Sequence, residues 1–350
     1  VVAGTPATTQ TASAILQGSL RENEFAMSTP TELSKSAPRS TGAAHSSARR
    51  PRKNAGVKRL STTDKVVLGF MVGIPTLVQL AFVWIPTLLS VLLSFTRWNG
   101  LEISDIRAAG FANYSYVFND SPAFWPAVQH NILWLVFLAV IATPLGLLLA
   151  VLLDQQIRGS KIYQSIFFVP VMLSLALVGI IWQLFYQKDN GLLNFLLGTA
   201  GTPDAVDWFG DSSVNIWAAL VAATWRHAGY VMILYLAGLK GVDASLKEAA
   251  SLDGANATQT FFRIVFPAMA PINIVIVVIT IIESLRAFDV VWVINKGTNG
   301  LELISALVIS YLIGEGQSIG IGSAFAVILL VISLVPITIY LSRTFRKEKF

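Results

Sequence analysis

Residues 66–95 read VVLGFMVGIPTLVQLAFVWIPTLLSVLLSF, a run with no charged side chain. A helix needs about 20 apolar residues to cross the hydrocarbon core of a bilayer, so this stretch is long enough to span one. The same reading extends along the chain. Ala127–Leu153, Ile162–Tyr186 and Ile321–Leu341 are equally free of charge, and Val214–Gly238 carries only Arg226. Ala268–Ile294 is clean as far as Ile282 and then carries Glu283, Arg286 and Asp289. Six such blocks predict an all-α integral membrane protein with six transmembrane helices. Pro75, Pro86, Pro144 and Pro170 fall inside spans, where packed neighbours tolerate the lost hydrogen bonds.

Composition excludes the soluble alternatives. Of 350 residues, 54% are hydrophobic and 13% charged, with a mean hydropathy of +0.64. Soluble domains carry roughly 25% charged residues. Absence of cysteine removes disulfides, thiolate metal sites and cysteine nucleophiles. His45, His130 and His227 stand far apart in sequence, with no metal-ligand spacing. No catalytic set and no metal site are expected. The chain contains no Gly-Lys pair, so it has no P-loop, and any ATP must be held by another subunit.

Basic residues set the orientation. With the N-terminus inside, one side holds Arg49, Arg50, Arg52, Lys53, Lys58, Arg59 and Lys65, then Arg158, Lys161, Lys240, Lys247 and Arg263, then Arg343, Arg346, Lys347 and Lys349. The other holds only Arg97, Arg107, Lys188 and Lys296, together with acids such as Glu102, Asp105 and Asp211. The positive-inside rule puts both termini in the cytoplasm. Residues 1–61 are rich in Ser, Thr, Ala and Pro, which predicts a disordered basic cytoplasmic tail. Its basic run reads as a lipid-facing flank, ahead of a nucleic-acid tail. Residues 342–350 form a second basic tail. The net charge of +5 is therefore a topology signal.

The most patterned segment is the loop between spans four and five, residues 239–267. Asp243 can cap a short helix over Ala244–Asp253 whose small face is Ala249 and Ala250. Gly254 supplies a left-handed end. A second helix from Ala257 should stop at Pro267. Two short helices with an alanine face suit close docking to another surface, with Glu248 projecting as an ion-pair partner. An amphipathic hairpin lying on the membrane is the plainer alternative.

Glu248-Ala249-Ala250, three residues on Gly254, nine more on Ile264, and then Pro267 resemble the EAA signature of permease subunits in binding-protein-dependent ABC importers. Phe266 stands where that pattern has leucine. Phe111-Ala-Asn-Tyr114, Phe167-Phe-Val-Pro170, Gly179-Ile-Ile-Trp182, Gly191-Leu-Leu-Asn194, Leu236-Ala-Gly-Leu239 and Asp253-Gly-Ala255 resemble its carbohydrate branch. Phe288-Asp289 followed by Val291-Trp-Val-Ile294 looks like the first permease of maltose-type and glycerophosphate-type systems. The following loop, Lys296-Gly-Thr-Asn-Gly300, departs from the usual Gly-Gly-Pro. The resemblance covers roughly residues 105–341. It implies a type I ABC importer permease fold in the cell membrane and no bound cofactor. It also implies a second, distinct permease, two ATPase subunits, an extracytoplasmic solute-binding protein and a sugar substrate. It assigns ATPase coupling to Glu248, Ala249, Ala250, Asp253, Gly254, Ile264 and Pro267.

The charges within the spans admit two readings. Glu283, Arg286 and Asp289 are spaced i, i+3, i+6 and should share a helical face. They could line a polar pathway, with Trp182, Trp225 and Tyr230 offering ring faces to a sugar. Alternatively, Glu283 pairs with Arg286 or with Arg226 and holds helices together. His227 is expected to pack rather than relay protons. An ion-coupled secondary transporter is the alternative function, though six spans without an internal repeat do not favour it. A membrane-embedded enzyme would need a catalytic constellation that the sequence does not display.

Overall fold

The computed structural model describes residues 61–347 apart from 156–157 and 315–316. The expected N-terminal tail, Ser61 excepted, and the last three positions of the C-terminal tail lie outside the described residues.

The chain is built from helices. The first, α1, runs Thr62–Leu93 and the second, α2, Phe124–Asp154. Then come α3 (Ser160–Met172), α4 (Leu175–Phe185), the short α5 (Leu192–Leu197) and α6 (Asn215–Gly241). α7 (Ala244–Leu252) and α8 (Ala257–Ala268) form the patterned loop. α9 (Ala270–Leu285), α10 (Asp289–Asn295), α11 (Ile304–Ile313) and α12 (Ile319–Lys347) complete the order. Three helices are long and apolar enough to cross a membrane, or up to six if each sharply bent pair counts as one span.

Several boundaries differ from the sequence reading. The block Ile162–Tyr186 is not one straight helix, because α3 and α4 meet at 104°. Leu173 is extended there, and Ser174 restarts the helix by accepting a hydrogen bond from the Leu177 amide at 3.2 Å. The block Ala268–Ile294 is interrupted between Leu285 and Asp289. The apolar helix α11 was not foreseen, being only 10 residues long. A two-stranded hairpin, β1 (Thr96–Arg97) with β2 (Arg107–Ala108), is the described exception to the all-α expectation.

The prolines act through a shared local device. Pro86, Pro144 and Pro267 each follow by two residues a π-helical turn: Leu80–Trp84, Leu138–Ala142 and Phe261–Val265. A proline ring clashes with the carbonyl four residues back and brings no N–H. In each case the widened turn is closed by an i→i−5 bond, such as Phe266 N–H to the Phe261 carbonyl. The helices of Pro86 and Pro144 therefore continue through their prolines. α8 ends at Ala268, one residue past the stop expected at Pro267, and the chain then bends by 74° into the next helix.

α6 is the central element. Its Ala219, Leu220 and Ala223 pack with Trp134, Leu138 and Ala142 of α2 and with Val291 of α10. One turn-set further along, Val231, Met232 and Tyr235 pack with Ala150, Val265 and Ile276. Small residues let the backbones approach closely, as is common between helices in lipid. At Gly146 an added Cβ would lie 2.7 Å from the Ala228 carbonyl oxygen and 2.8 Å from the Val231 Cβ. A third cluster joins α2, α11 and α12 through Phe124, Ile304 and Phe325. By contrast, α1 has no buried residue, and its apolar side chains from Val66 to Leu92 are largely exposed.

Candidate coupling loop and intramembrane polar cluster

The loop after α6 turns by 71° into α7. Asp243 starts α7 as its N-cap, its carboxylate accepting from the Ser245 amide at 2.9 Å. That bond, with a further one from the Ser245 side chain, holds the Asp243 carboxyl below its usual value. α7 closes on a Schellman arrangement: Gly254 N–H donates to the Ser251 carbonyl at 3.1 Å, and Ala255 N–H to the Ala250 carbonyl at 3.0 Å. Gly254 sits at φ +78°, where a side chain would be strained. Asn256 and Gln259 then open α8 with a reciprocal capping box.

These restraints fix which face of α7 is free. Ala250 is buried, while Glu248, Ala249 and Asp253 are exposed. The expected two-alanine face is therefore split, with Ala250 turned inward and Ala249 outward. Leu252 is 88% exposed, an apolar side chain at the helix end that the sequence reading passed over. Ile264 is half-buried in the π turn of α8, and Pro267 is exposed. Lys247, next to Glu248, reaches Asp154 at the end of α2 at 3.8 Å.

The polar residues of the apolar helices form a separate cluster. Arg226 of α6 pairs with Glu283 of α9 at 3.3 Å. The Glu283–Arg286 alternative is not realised: Arg286 is exposed, at the break after α9, and has no ion pair among the described residues. Glu283, Arg286 and Asp289 do not share one continuous helical face, since the helix lapses between Leu285 and Asp289. Arg226, Glu283 and Asp289 nonetheless border one small cavity of about 20 Å³, together with His227, Trp134 and Phe288, room for about one water. His227 is buried and bonds Thr280 at 3.2 Å and Thr143 at 3.5 Å, tying α6 to α9 and α2. This fits a packing role.

Of the expected ring faces, Trp182 and Trp225 meet edge to face at 6.0 Å. Tyr230 lies one turn beyond Arg226 on α6, half-buried. The Trp182 Nε1 and Arg226 Nε donors are buried without a partner, which is unusual for buried polar groups. Asn131 was missed by the sequence reading. It is buried on α2, accepts from the Ile304 amide at 3.0 Å and so fixes the start of α11. A lone amide inside an apolar block was the available signal. No group of side chains that could hold a metal occurs among the described residues.

Bent apolar helices around a half-buried ion pair, with a capped helical elbow between two of them, are the architecture of a polytopic membrane protein. Residues 142–347 match the family described as binding-protein-dependent transport system inner membrane component, and the chain belongs to that family. The osmoprotective compounds uptake permease protein GgtC of Synechocystis is 34% identical, covering 77% of this chain and 95% of that protein. The xylose/arabinose import permease protein XacH of Haloferax volcanii is 31% identical over 77% of this chain and 85% of its own. The trehalose/maltose transport system permease protein MalF of Thermococcus litoralis is 28% identical over 78% and 92%. Among solved structures, a bacterial ABC transporter that imports the acidic polysaccharide alginate has a chain of the same fold. It shows a TM-score of 0.69 at 22% identity, covering 81% of this chain and 96% of that one. The chain is thus a membrane-embedded transport subunit rather than an enzyme.

Proposed function

We propose that the chain is one of two distinct permeases of an ATP-driven ABC importer, forming with its partner the pathway for a sugar or sugar derivative. An extracytoplasmic binding protein delivers the solute, and two ATPase subunits bind on the cytoplasmic side. The relatives' names support a sugar or sugar derivative as the solute, and the distribution of basic residues supports six spans with both termini in the cytoplasm. The largely exposed apolar surface of α1 suits lipid or the second permease.

The observation that carries the reading is the elbow made by α7 and α8. Glu248, Ala249, Asp253 and Leu252 are exposed on it, while buried Ala250 and the half-buried Ile264 root it in the chain. A rigid element of this kind converts closure of an ATPase cleft into reorientation of the helices attached to it. Glu248 faces a basic residue of the cleft, and Leu252 fills an apolar part of it. Pro267, beside the π turn, carries the motion into α9. Within the membrane, Arg226, Glu283 and Asp289 form the polar lining, with Trp182, Trp225 and Tyr230 near it. Arg286, exposed at the break, is the weakest of the pathway residues. The test is to purify the assembled transporter with Glu248→Ala or Leu252→Asp. The expected result is normal permease abundance, weakened retention of the ATPase subunits and lost stimulation of hydrolysis by loaded binding protein. Full retention and stimulation in both variants would remove the elbow from the coupling path.

A further inference from the structure

The chain leaves α1 at Leu93 and turns back at once through the hairpin of β1 and β2. Arg97 stands directly opposite Arg107 in the ladder. Like charges facing each other across a sheet repel, and neither arginine has an ion pair among the described residues. Both line a recess of about 490 Å³, shared with Trp98, Asn99, Asp105 and Gln317. Two guanidinium groups against one carboxylate leave the recess net positive.

The recess is held in place from both sides. Asn113 donates to the carbonyls of Ser94 and Thr96, each at 2.8 Å. The Ile319 amide, at the start of α12, donates to the Trp98 carbonyl at 2.8 Å. Exposed apolar side chains stand in and beside the hairpin: Leu101 is 77% exposed, Ile103 79% and Phe111 74%, interspersed with the exposed Glu102, Ser104 and Asp105. Leu101 and Ile103 lie in the hairpin that follows directly on the apolar helix α1, and Phe111 just past it; with α1 as a span, they fall near the headgroups. Apolar side chains beside arginines at that level suit the boundary between acyl chains and phosphates.

We propose that the hairpin is a membrane anchor. Leu101, Ile103 and Phe111 enter the lipid, and Arg97 and Arg107 together clamp the phosphate of a phospholipid headgroup. Guanidinium forks match phosphate oxygens in pairs, and the shared anion relieves the repulsion between the two arginines. The clamp fixes the depth of α1, whose own surface buries so little, and ties it to the start of α12. This rests on α1 being a span and on nothing about ATP coupling.

The absence of cysteine makes Ile103→Cys a unique labelling site in the full chain. The labelled protein is reconstituted in vesicles of phosphatidylethanolamine and phosphatidylglycerol, carrying a polarity-sensitive dye. The expected label is blue-shifted and quenched several-fold more by lipid-attached doxyl groups than by aqueous iodide. Adding Arg97→Gln with Arg107→Gln, or replacing the phospholipids with phosphate-free galactolipids, should shift the quenching toward iodide. Intact incorporation of each variant is checked by its proteolysis pattern. A label quenched mainly by iodide in phospholipid vesicles overturns the anchor and leaves the face to a protein partner. A label equally lipid-quenched with and without the arginines, or with and without phosphate, overturns the clamp.

Discussion

Replacing Gly254 isolates the handedness of the elbow from its bulk. Gly254 lies at φ +78°, and no atom lies within 4 Å of the place where a Cβ would stand. A side chain there meets open space, so its effect within the chain is backbone strain alone. For an L-residue that strain is about 1–2 kcal/mol, with valine at the upper end because branching at Cβ adds crowding and asparagine at the lower end. A tenfold change corresponds to about 1.4 kcal/mol, so the population of the native turn should fall roughly fivefold in Gly254→Asn and roughly thirtyfold in Gly254→Val. The loss should appear as weaker ATPase retention and slower uptake, with permease abundance unchanged, in the order Gly, Asn, Ala, Val. The assay is co-purification of the ATPase across this series together with uptake into vesicles. If Asn and Val are equally damaging, volume against a partner surface is what matters, and the argument from backbone handedness is refuted.

Other consequences follow from the same geometry. Arg226→Ala should lower membrane levels by leaving Glu283 without its partner; Arg226→Leu with Glu283→Leu should restore levels, and no rescue would deny the coupling measured by the double change. Arg286→Ala should leave insertion intact, because Arg286 is exposed and has no ion pair among the described residues; a large drop in abundance would show a partner in the assembled transporter. Gly146→Val should destabilise the bundle strongly, since even a Cβ meets the Ala228 carbonyl at 2.7 Å, and thermal unfolding in detergent reads this directly. The Asp243 cap is held by hydrogen bonds to its ionised form, which lower its pKa. Its contribution is present above the unfolded value of about 4 and is lost as pH falls through the lower folded value. ATPase retention should therefore be flat from about pH 8 to 5 as far as this group is concerned.

The sequence was most legible where chemistry is local. The cap at Asp243, the left-handed end at Gly254 and the restart at Ala257 all depend on residues within a few positions of one another, and each occurs as read. The apolar blocks marked the helices for the same reason. What failed was long-range. The even spacing of Glu283, Arg286 and Asp289 suggested one face, but the helix lapses before Asp289. The choice of Arg226 over Arg286 as the partner of Glu283 depends on how α6 packs on α9, which no local pattern encodes. The hairpin of Arg97 and Arg107 was invisible because each strand is only 2 residues long.

Uptake into sealed vesicles, with the assembled transporter and loaded binding protein, tests the central claim most directly. The account predicts uptake that requires ATP on the cytoplasmic side and persists when ionophores collapse the proton and sodium gradients. Uptake that proceeds without ATP and stops when those gradients are dissipated would contradict it.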